Sequence, residues 1–199
     1  MRVKAFPALV PAPGLAESLA SVPYDVINTE EARALAEGRP NSFLRVERAE
    51  LELPADVDPY SEEVYAHAKA NFEKMQNDGI FVREPEPCIY LYRQIMKGRT
   101  QMGITLACHI EDYENDIIKK HEKTRKVKED DRTRLTDVLS ANTGPVFLTY
   151  KDVASIDAFI DTWVASHEPT SDFIDDVEVQ HTVWRVTGAD AAPILSALG

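Results

Sequence analysis

The sequence predicts an α+β fold, a mixed β-sheet with packed helices, over one domain spanning residues 1–199. Three observations lead there. Val64, Ala68, Phe72 and Met75 recur at the spacing of a single helix face. Cys88 to Gln94 and Met102 to Ile110 are β-rich runs on either side of Lys97-Gly98-Arg99, a hairpin signal. Helix and strand patterns also follow one another without a regular βαβ alternation, which favours α+β over a doubly wound sheet.

Taken in order, Val3 to Val10 reads as a short edge strand or arm, broken by Pro11 and Pro13. A brief helix follows over Gly14 to Ala20. Asn28 with Glu31 three residues on is a capping-box arrangement, predicting a helix over 29–37 that Gly38-Arg39-Pro40 ends. Asn41 to Val46 reads as a strand. Asp58 as N-cap and Pro59 at the first position open a helix over 59–78, which Gly79 closes. Beyond the hairpin, Leu135, Val138 and Leu139 share one face of a helix over 130–142, with Asp130 or Asp131 at its start and Gly144-Pro145 at its stop. Val146 to Tyr150 reads as a strand, and Ser155 as the cap of a helix over 155–166 striped by Ile156, Phe159, Ile160, Trp163 and Val164. Phe173 to Val177 and Val179 to Val186 look like a closing strand pair. Asp190 to Leu198 begins an apolar helix with no polar tail to cover it, as in a fragment. The expected core includes Val64, Phe72, Leu139, Phe147, Phe159 and Trp163.

Composition narrows the class. A hydrophobic content of 44% is ample for a core, and 28% charged residues are ordinary for a globular protein. No apolar run approaches the roughly 18 residues that span a bilayer. The N-terminus lacks the long apolar stretch of a signal peptide. Two cysteines, Cys88 and Cys108, are too few for a disulfide framework, which fits the cytoplasm. The formal net charge of -12 argues against nucleic acid as a partner of the whole surface.

Against that acidic background, residues 119–134 hold eight of the 22 Lys and Arg residues and only four acids. The rest of the chain carries 14 bases against 30 acids. Like charges at this density repel unless solvated or facing an anion, so the window is the best candidate for a phosphate or carboxylate site. It also reads as a solvated loop leading into a helix. It contains no aromatic residue for base stacking, which lowers nucleic acid further. His121-Glu122 lacks the second histidine of a zinc-protease motif, since position 125 is Arg. Glu122, Asp130 and Asp131 have the carboxylates that magnesium uses when phosphates complete its shell, but no dedicated metal site is read. Cys88, Cys108 and His109, brought opposite one another by the hairpin, make an incomplete zinc set. No glycine-rich phosphate loop is present. Pro23-Tyr24-Asp25-Val26-Ile27-Asn28 places a phenol and a carboxylate just ahead of a helix N-terminus, either as a ligand contact or as an ordinary capped turn.

Two segments carry a resemblance. Pro23-Tyr24-Asp25-Val26-Ile27 with Glu30-Glu31-Ala32-Arg33 is similar to the N-terminal signature of the domain-of-unknown-function 1015 family. So is His121-Glu122-x-Thr124, followed by Lys128, Asp131-Arg132 and Asn142-x-x-Pro145-Val146-Phe147. Phe43 to Glu50, the Ile89-Tyr90 strand, Gly103 and Asp112-Tyr113 sit at matching intervals, so the resemblance covers essentially the whole chain. It implies a protein about twice this length. The second half of such proteins carries an Asp-Gly-His-His-Arg motif that resembles the partition-protein (ParB) and sulfiredoxin superfamily. Some members of that superfamily bind nucleotides, and relatives include free-serine kinases. This sequence has no Gly-His-His-Arg, which implies an N-terminal half without a complete active site.

The resulting expectation is the N-terminal half of a nucleotide-dependent phosphotransferase. It would act on a small hydroxylated metabolite or free amino acid and use ATP or ADP with magnesium. Phosphoryl transfer needs cations on the moving phosphate, for which Lys123, Thr124, Lys128 and Arg132 are the candidates. It also needs a carboxylate to orient the nucleophile, for which Asp25, Glu30 and Glu122 are available. His121 would be an acid/base or phosphate donor, with Tyr24 and Asp131 completing the site. His121, Glu122, Thr124 and Arg132 are then expected close to Tyr24 and Asp25. The alternatives are a non-catalytic phosphate- or nucleotide-binding module, and an interaction module. The C-terminal half of the same polypeptide is the expected partner, and these residues alone are expected to fold without turnover.

Overall fold

A computed structural model describes residues 1–120 and 123–199. In chain order the elements are β1 (Val3–Lys4), β2 (Leu9–Pro11), α1 (Ala16–Leu19), α2 (Thr29–Ala36), α3 (Leu44–Glu47), a 3-10 turn (Ala49–Glu52), α4 (Glu62–Asn77), β3 (Phe81–Arg83), β4 (Cys88–Met96), β5 (Arg99–Thr105), β6 (Ala107–Cys108), α5 (Ile110–Glu114), α6 (Lys126–Leu139), α7 (Ala154–Ser166), β7 (Ser171–Ile174), β8 (Gln180–Thr187) and α8 (Ala192–Leu198). The class is α+β. The chain divides into two compact units, the first comprising Met1–Gly14, Arg83–Glu122 and Val146–Gly199, the second Leu15–Val82 and Lys123–Pro145.

The first unit is built on a four-stranded antiparallel sheet in the order β5-β4-β8-β7. The β4–β5 hairpin turns at Lys97 (φ 51°) and Gly98 (φ 74°), the pair of left-handed residues that a two-residue loop matched to strand twist requires. Side chains alternate across the sheet, so Ile89 and Leu91 share a face with Trp184 and Val186. Ile156 and Ile160 of α7 and Ile194 of α8 cover that face. Burying each of these large apolar side chains contributes about 1.5–3 kcal/mol.

Five expectations change here. The C-terminal helix is covered, because Ile194 is only 1% exposed within this core. Val146 to Tyr150 forms no strand, and Phe147, expected inside, is 67% exposed. A β-prone run becomes a strand only where a neighbouring strand takes its backbone groups. Phe159 and Trp163 pack at the margin of the core rather than inside it. Ser155 lies inside α7, whose N-cap is Val153 without a side-chain bond. Cys88 stands opposite Thr187 and Cys108 opposite Val3, so the strand registers do not set the cysteines against one another.

The second unit is helical. α4 packs on α6, α3 and the 3-10 turn; its buried residues are Val64, Tyr65, Ala68, Phe72 and Met75, and those of α6 include Leu135 and Leu139. Phe43, Phe72 and Phe81 meet edge to face, with centroids 5.7 to 6.5 Å apart. Ala32 and Ala36 of α2 seat on Leu44 and Leu51. The capping box at Asn28 is complete: Glu31 N donates to Asn28 Oδ1 at 3.0 Å, and Asn28 N to Glu31 Oε2 at 2.8 Å.

Three boundaries differ. Asn41 to Val46 is not a strand, since the chain turns into α3 at Leu44. Burial there does alternate, with Ser42, Leu44 and Val46 inside, which is the signal that imitated a strand. α4 begins after Ser61, and Asp58 instead caps a turn by accepting from Tyr60 N at 3.0 Å. α6 begins a turn early at Lys126, so Asp130 and Asp131 fall inside it rather than capping it.

Candidate functional site

The second unit sets a polar cavity between the 23–28 loop, the α3 end, α4 and α6. Its volume is about 110 Å³, and its lining includes Tyr24, Glu47, Arg48, Glu50, Tyr65, Lys128, Asp131 and Arg132. The loop is fixed by Arg48, which follows α3. Its Nη1 donates to the carbonyls of Tyr24 (2.8 Å) and Ile27 (2.7 Å), and its Nη2 to Thr29 Oγ1 (3.0 Å). Its Nε bonds Glu50 Oε1 at 2.6 Å. The two side chains are 14% and 6% exposed, so the pair is held away from water and its charges are weakly screened.

Over this base the Tyr24 ring meets two cations. The Arg132 guanidinium lies 3.8 Å from the ring centroid and Lys128 Nζ 5.5 Å from it, within cation–π range. Lys128 and Arg132 are four residues apart on α6 and therefore share a face. Arg132 is anchored from behind, with Nε and Nη2 donating to Asp131 Oδ2 at 3.1 and 2.8 Å. Asp131 is buried, and its other oxygen accepts from Tyr65 OH at 3.0 Å.

Burial shifts the neighbouring acids. The Tyr24 phenol is pushed up by desolvation, with Arg132 pulling the other way and the charges of Asp25, Asp131 and Glu47 adding to the rise. The Tyr65 phenol is raised by burial and by its bond to Asp131. Desolvation also raises the Glu47 carboxyl, against the pull of a Thr143 hydrogen bond and of Arg132.

Of the residues singled out from sequence, Tyr24, Lys128 and Arg132 come together, with Asp131 bracing Arg132. Asp25 is exposed beside this group, close enough to act electrostatically on Tyr24 and Glu47. Glu30 is exposed in the first turn of α2. Lys123 and Thr124 are exposed ahead of α6, with Thr124 Oγ1 donating to Glu129 Oε2 at 3.4 Å. His121 and Glu122 lie outside the described residues. Arg48, Glu50, Glu47 and Tyr65 were not singled out. The available signal was the run Arg45-Val46-Glu47-Arg48-Ala49-Glu50, in which charges alternate with side chains that the fold buries.

The charges around the cavity nearly cancel, with Arg48, Lys128 and Arg132 facing Glu47, Glu50 and Asp131. Such a cavity suits a small polar ligand more than a bare polyanion. Among the described residues no group of three or more His, Cys, Asp or Glu is placed to hold a metal ion. Among them, too, no helix is long and apolar enough to cross a membrane.

A model of the family described as "Protein of unknown function (DUF1015)" matches residues 3–198. Neither the curated proteins nor the solved structures contain a match to the chain.

Proposed function

We propose, from the premise that the chain belongs to the DUF1015 family, that its helical unit binds a small phosphate-bearing metabolite at the mouth of the Tyr24 cavity. The observation that carries this is the start of α6. Its N-cap is Arg125, which makes no side-chain cap bond, and Lys126 and Lys128 stand in its first turn, where Glu129 is the acid. Cations at the positive end of a helix are opposed by its dipole, each by about 0.3–1 kcal/mol, whereas a phosphate at that end is favoured. Lys128 and Arg132 extend the same cationic face to Tyr24, where a ligand could reach both the helix terminus and the cavity.

Binding is the part of the activity that the geometry of these residues supports. Phosphoryl transfer needs phosphate, nucleophile and usually magnesium held in one constellation. Of the candidate carboxylates among the described residues, Asp25 and Glu30 stand in solvent. The grip on a phosphate is the part of that constellation assigned to this unit. A phosphotransferase acting on a small hydroxylated metabolite or free amino acid remains the reading for a longer polypeptide. In it, a C-terminal half resembling the ParB and sulfiredoxin superfamily would complete the site. A cytoplasmic setting accords with Cys88 and Cys108 as free thiols.

Calorimetric titration with inorganic phosphate, pyrophosphate, ADP and ATP tests the reading. Binding is expected at low salt, weakening as salt rises and falling several-fold in Lys128→Ala. Absence of anion binding at low salt overturns it and leaves the cationic face as solvated surface. Turnover with serine and nucleotide would instead favour the phosphotransferase.

A further inference from the structure

One donor in the cavity is left over by the phosphate grip. Arg132 commits Nε and Nη2 to Asp131. Its Nη1 is buried and has no hydrogen-bond partner among the described residues. Leaving a buried donor unsatisfied is costly and normally avoided. Glu47 Oε1 stands 4.0 Å from it, and the two side chains are 10% (Glu47) and 27% (Arg132) exposed. That separation is beyond hydrogen-bond reach, although the groups carry opposite charge.

Both groups have other anchors. Arg132 is fixed by its two bonds to Asp131 and by the Tyr24 ring 3.8 Å from its guanidinium. Glu47 is held by the α3 backbone and by Thr143. Both residues line the same cavity. An oxygen about 2.8 Å from each would sit about 2 Å to the side of the line between them, with its two bonds meeting at roughly a right angle.

The chemistry of that oxygen can be deduced. A phosphate oxygen accepts only, so it would satisfy Arg132 and repel Glu47. An ammonium donates only, so it would satisfy Glu47 and repel Arg132. An alcohol does both at once, as a water molecule does, and a ligand hydroxyl can take the place of such a water. We propose that the Glu47–Arg132 gap is a hydroxyl subsite, in which an alcohol of the ligand accepts from Arg132 Nη1 and donates to Glu47. This rests on the phosphate-binding reading and narrows it: the ligand carries a hydroxyl within a few bonds of the phosphate that Lys128 meets. The Glu47 carboxyl, raised chiefly by burial, agrees with a site held away from bulk water.

Two probes that share a phosphate and a three-carbon chain separate the parts of the claim. Glycerol 3-phosphate carries hydroxyls and propyl phosphate does not. Calorimetric titration of the intact chain is expected to give at least about tenfold tighter binding of glycerol 3-phosphate, the scale set by a hydrogen bond to a charged group. Glu47→Ala should bring the ratio near one, and the shape-preserving Glu47→Gln should cut it several-fold. Equal affinities in the unmodified protein, or a ratio that both folded variants leave unchanged, overturn the hydroxyl subsite while the phosphate grip stands. If neither probe binds at low salt, the phosphate reading falls and the subsite falls with it. The unmodified protein supplies the first comparison even if a variant fails to fold.

Discussion

Replacing Arg48 by Ala should destabilise the helical unit more than any other surface-adjacent charge change. Arg48 makes hydrogen bonds to two loop carbonyls, to the Thr29 hydroxyl and to Glu50. Removing it leaves the Glu50 carboxylate without its ion-pair partner at 6% exposure and frees the carbonyls of Tyr24 and Ile27. Breaking a buried pair from one side costs about 3–5 kcal/mol. The freed carbonyls can turn toward water, so they add less than their nominal bonds. About 3–5 kcal/mol is a third or more of the stability of an ordinary domain. Urea unfolding followed by far-UV circular dichroism reads the loss as a lower midpoint at unchanged slope. The double variant Arg48→Met with Glu50→Gln, which leaves no buried charge unpaired, should recover about half of the loss or more. A cost below about 1 kcal/mol for Arg48→Ala, the level of an exposed ion pair, would refute the claim that this guanidinium holds the loop. A double variant no better than the single one would refute the unpaired-charge argument.

Three further outcomes follow from the same geometry. Tyr65→Phe removes the hydroxyl that donates to buried Asp131 and should cost about 1–3 kcal/mol in urea unfolding, since Arg132 still neutralises the acid. The folded state holds the Glu47 carboxyl above its ordinary range, so its protonated form favours folding: that contribution is full below the ordinary carboxylate value and is lost as pH rises through the raised one. Glu47→Gln should therefore gain stability relative to the unmodified protein as pH climbs from about 4 toward 7, and a pH-independent difference in unfolding midpoint would contradict the shift. Ile194→Ala, in the core of the sheet unit, should cost about 2–5 kcal/mol, and a cost near zero would mean that α8 is docked by other contacts.

What could be read in the sequence depended on how local the cause was. The capping box at Asn28 and Glu31 and the hairpin signal at Lys97-Gly98-Arg99 are contained in a few consecutive residues; both formed as expected, with Arg99 as the first residue of the second strand. Val146 to Tyr150 has strand composition, but strand formation depends on a partner that composition does not supply. Residues 41–46 carry a period-two pattern because Ser42, Leu44 and Val46 point inward from a turn and a short helix. Over so few residues the two periods are indistinguishable. The site divides in the same way. Lys128 and Arg132 were legible as helix neighbours and Tyr24 as a loop feature. Arg48 and Glu50 looked like ordinary surface charges, and only the packing of α3 under the 23–28 loop turns them inward.

The cationic window itself changes meaning once folded. As a linear run, 119–134 is one concentrated patch, yet Lys119 pairs with Asp116 and Lys120 lies over Tyr113 within the sheet unit. In the helical unit Lys126 pairs with Asp130, Arg134 with Glu62 and Arg132 with Asp131. These are mostly exposed pairs worth little in stability; Asp130 and Asp131 already stand in the count for the window, so it is Asp116 and Glu62, from outside it, that reduce its field further. Net attraction for anions is therefore weaker than a +4 window implies, and the balanced cavity has little preference by charge alone. Selection among phosphorylated metabolites would then rest on where donors and acceptors point, with Lys128 and the start of α6 for the phosphate and the Glu47–Arg132 gap for the hydroxyl. A site of this kind has a shallow salt dependence and a steep dependence on ligand hydroxyls, the reverse of what a polyanion-binding surface would give.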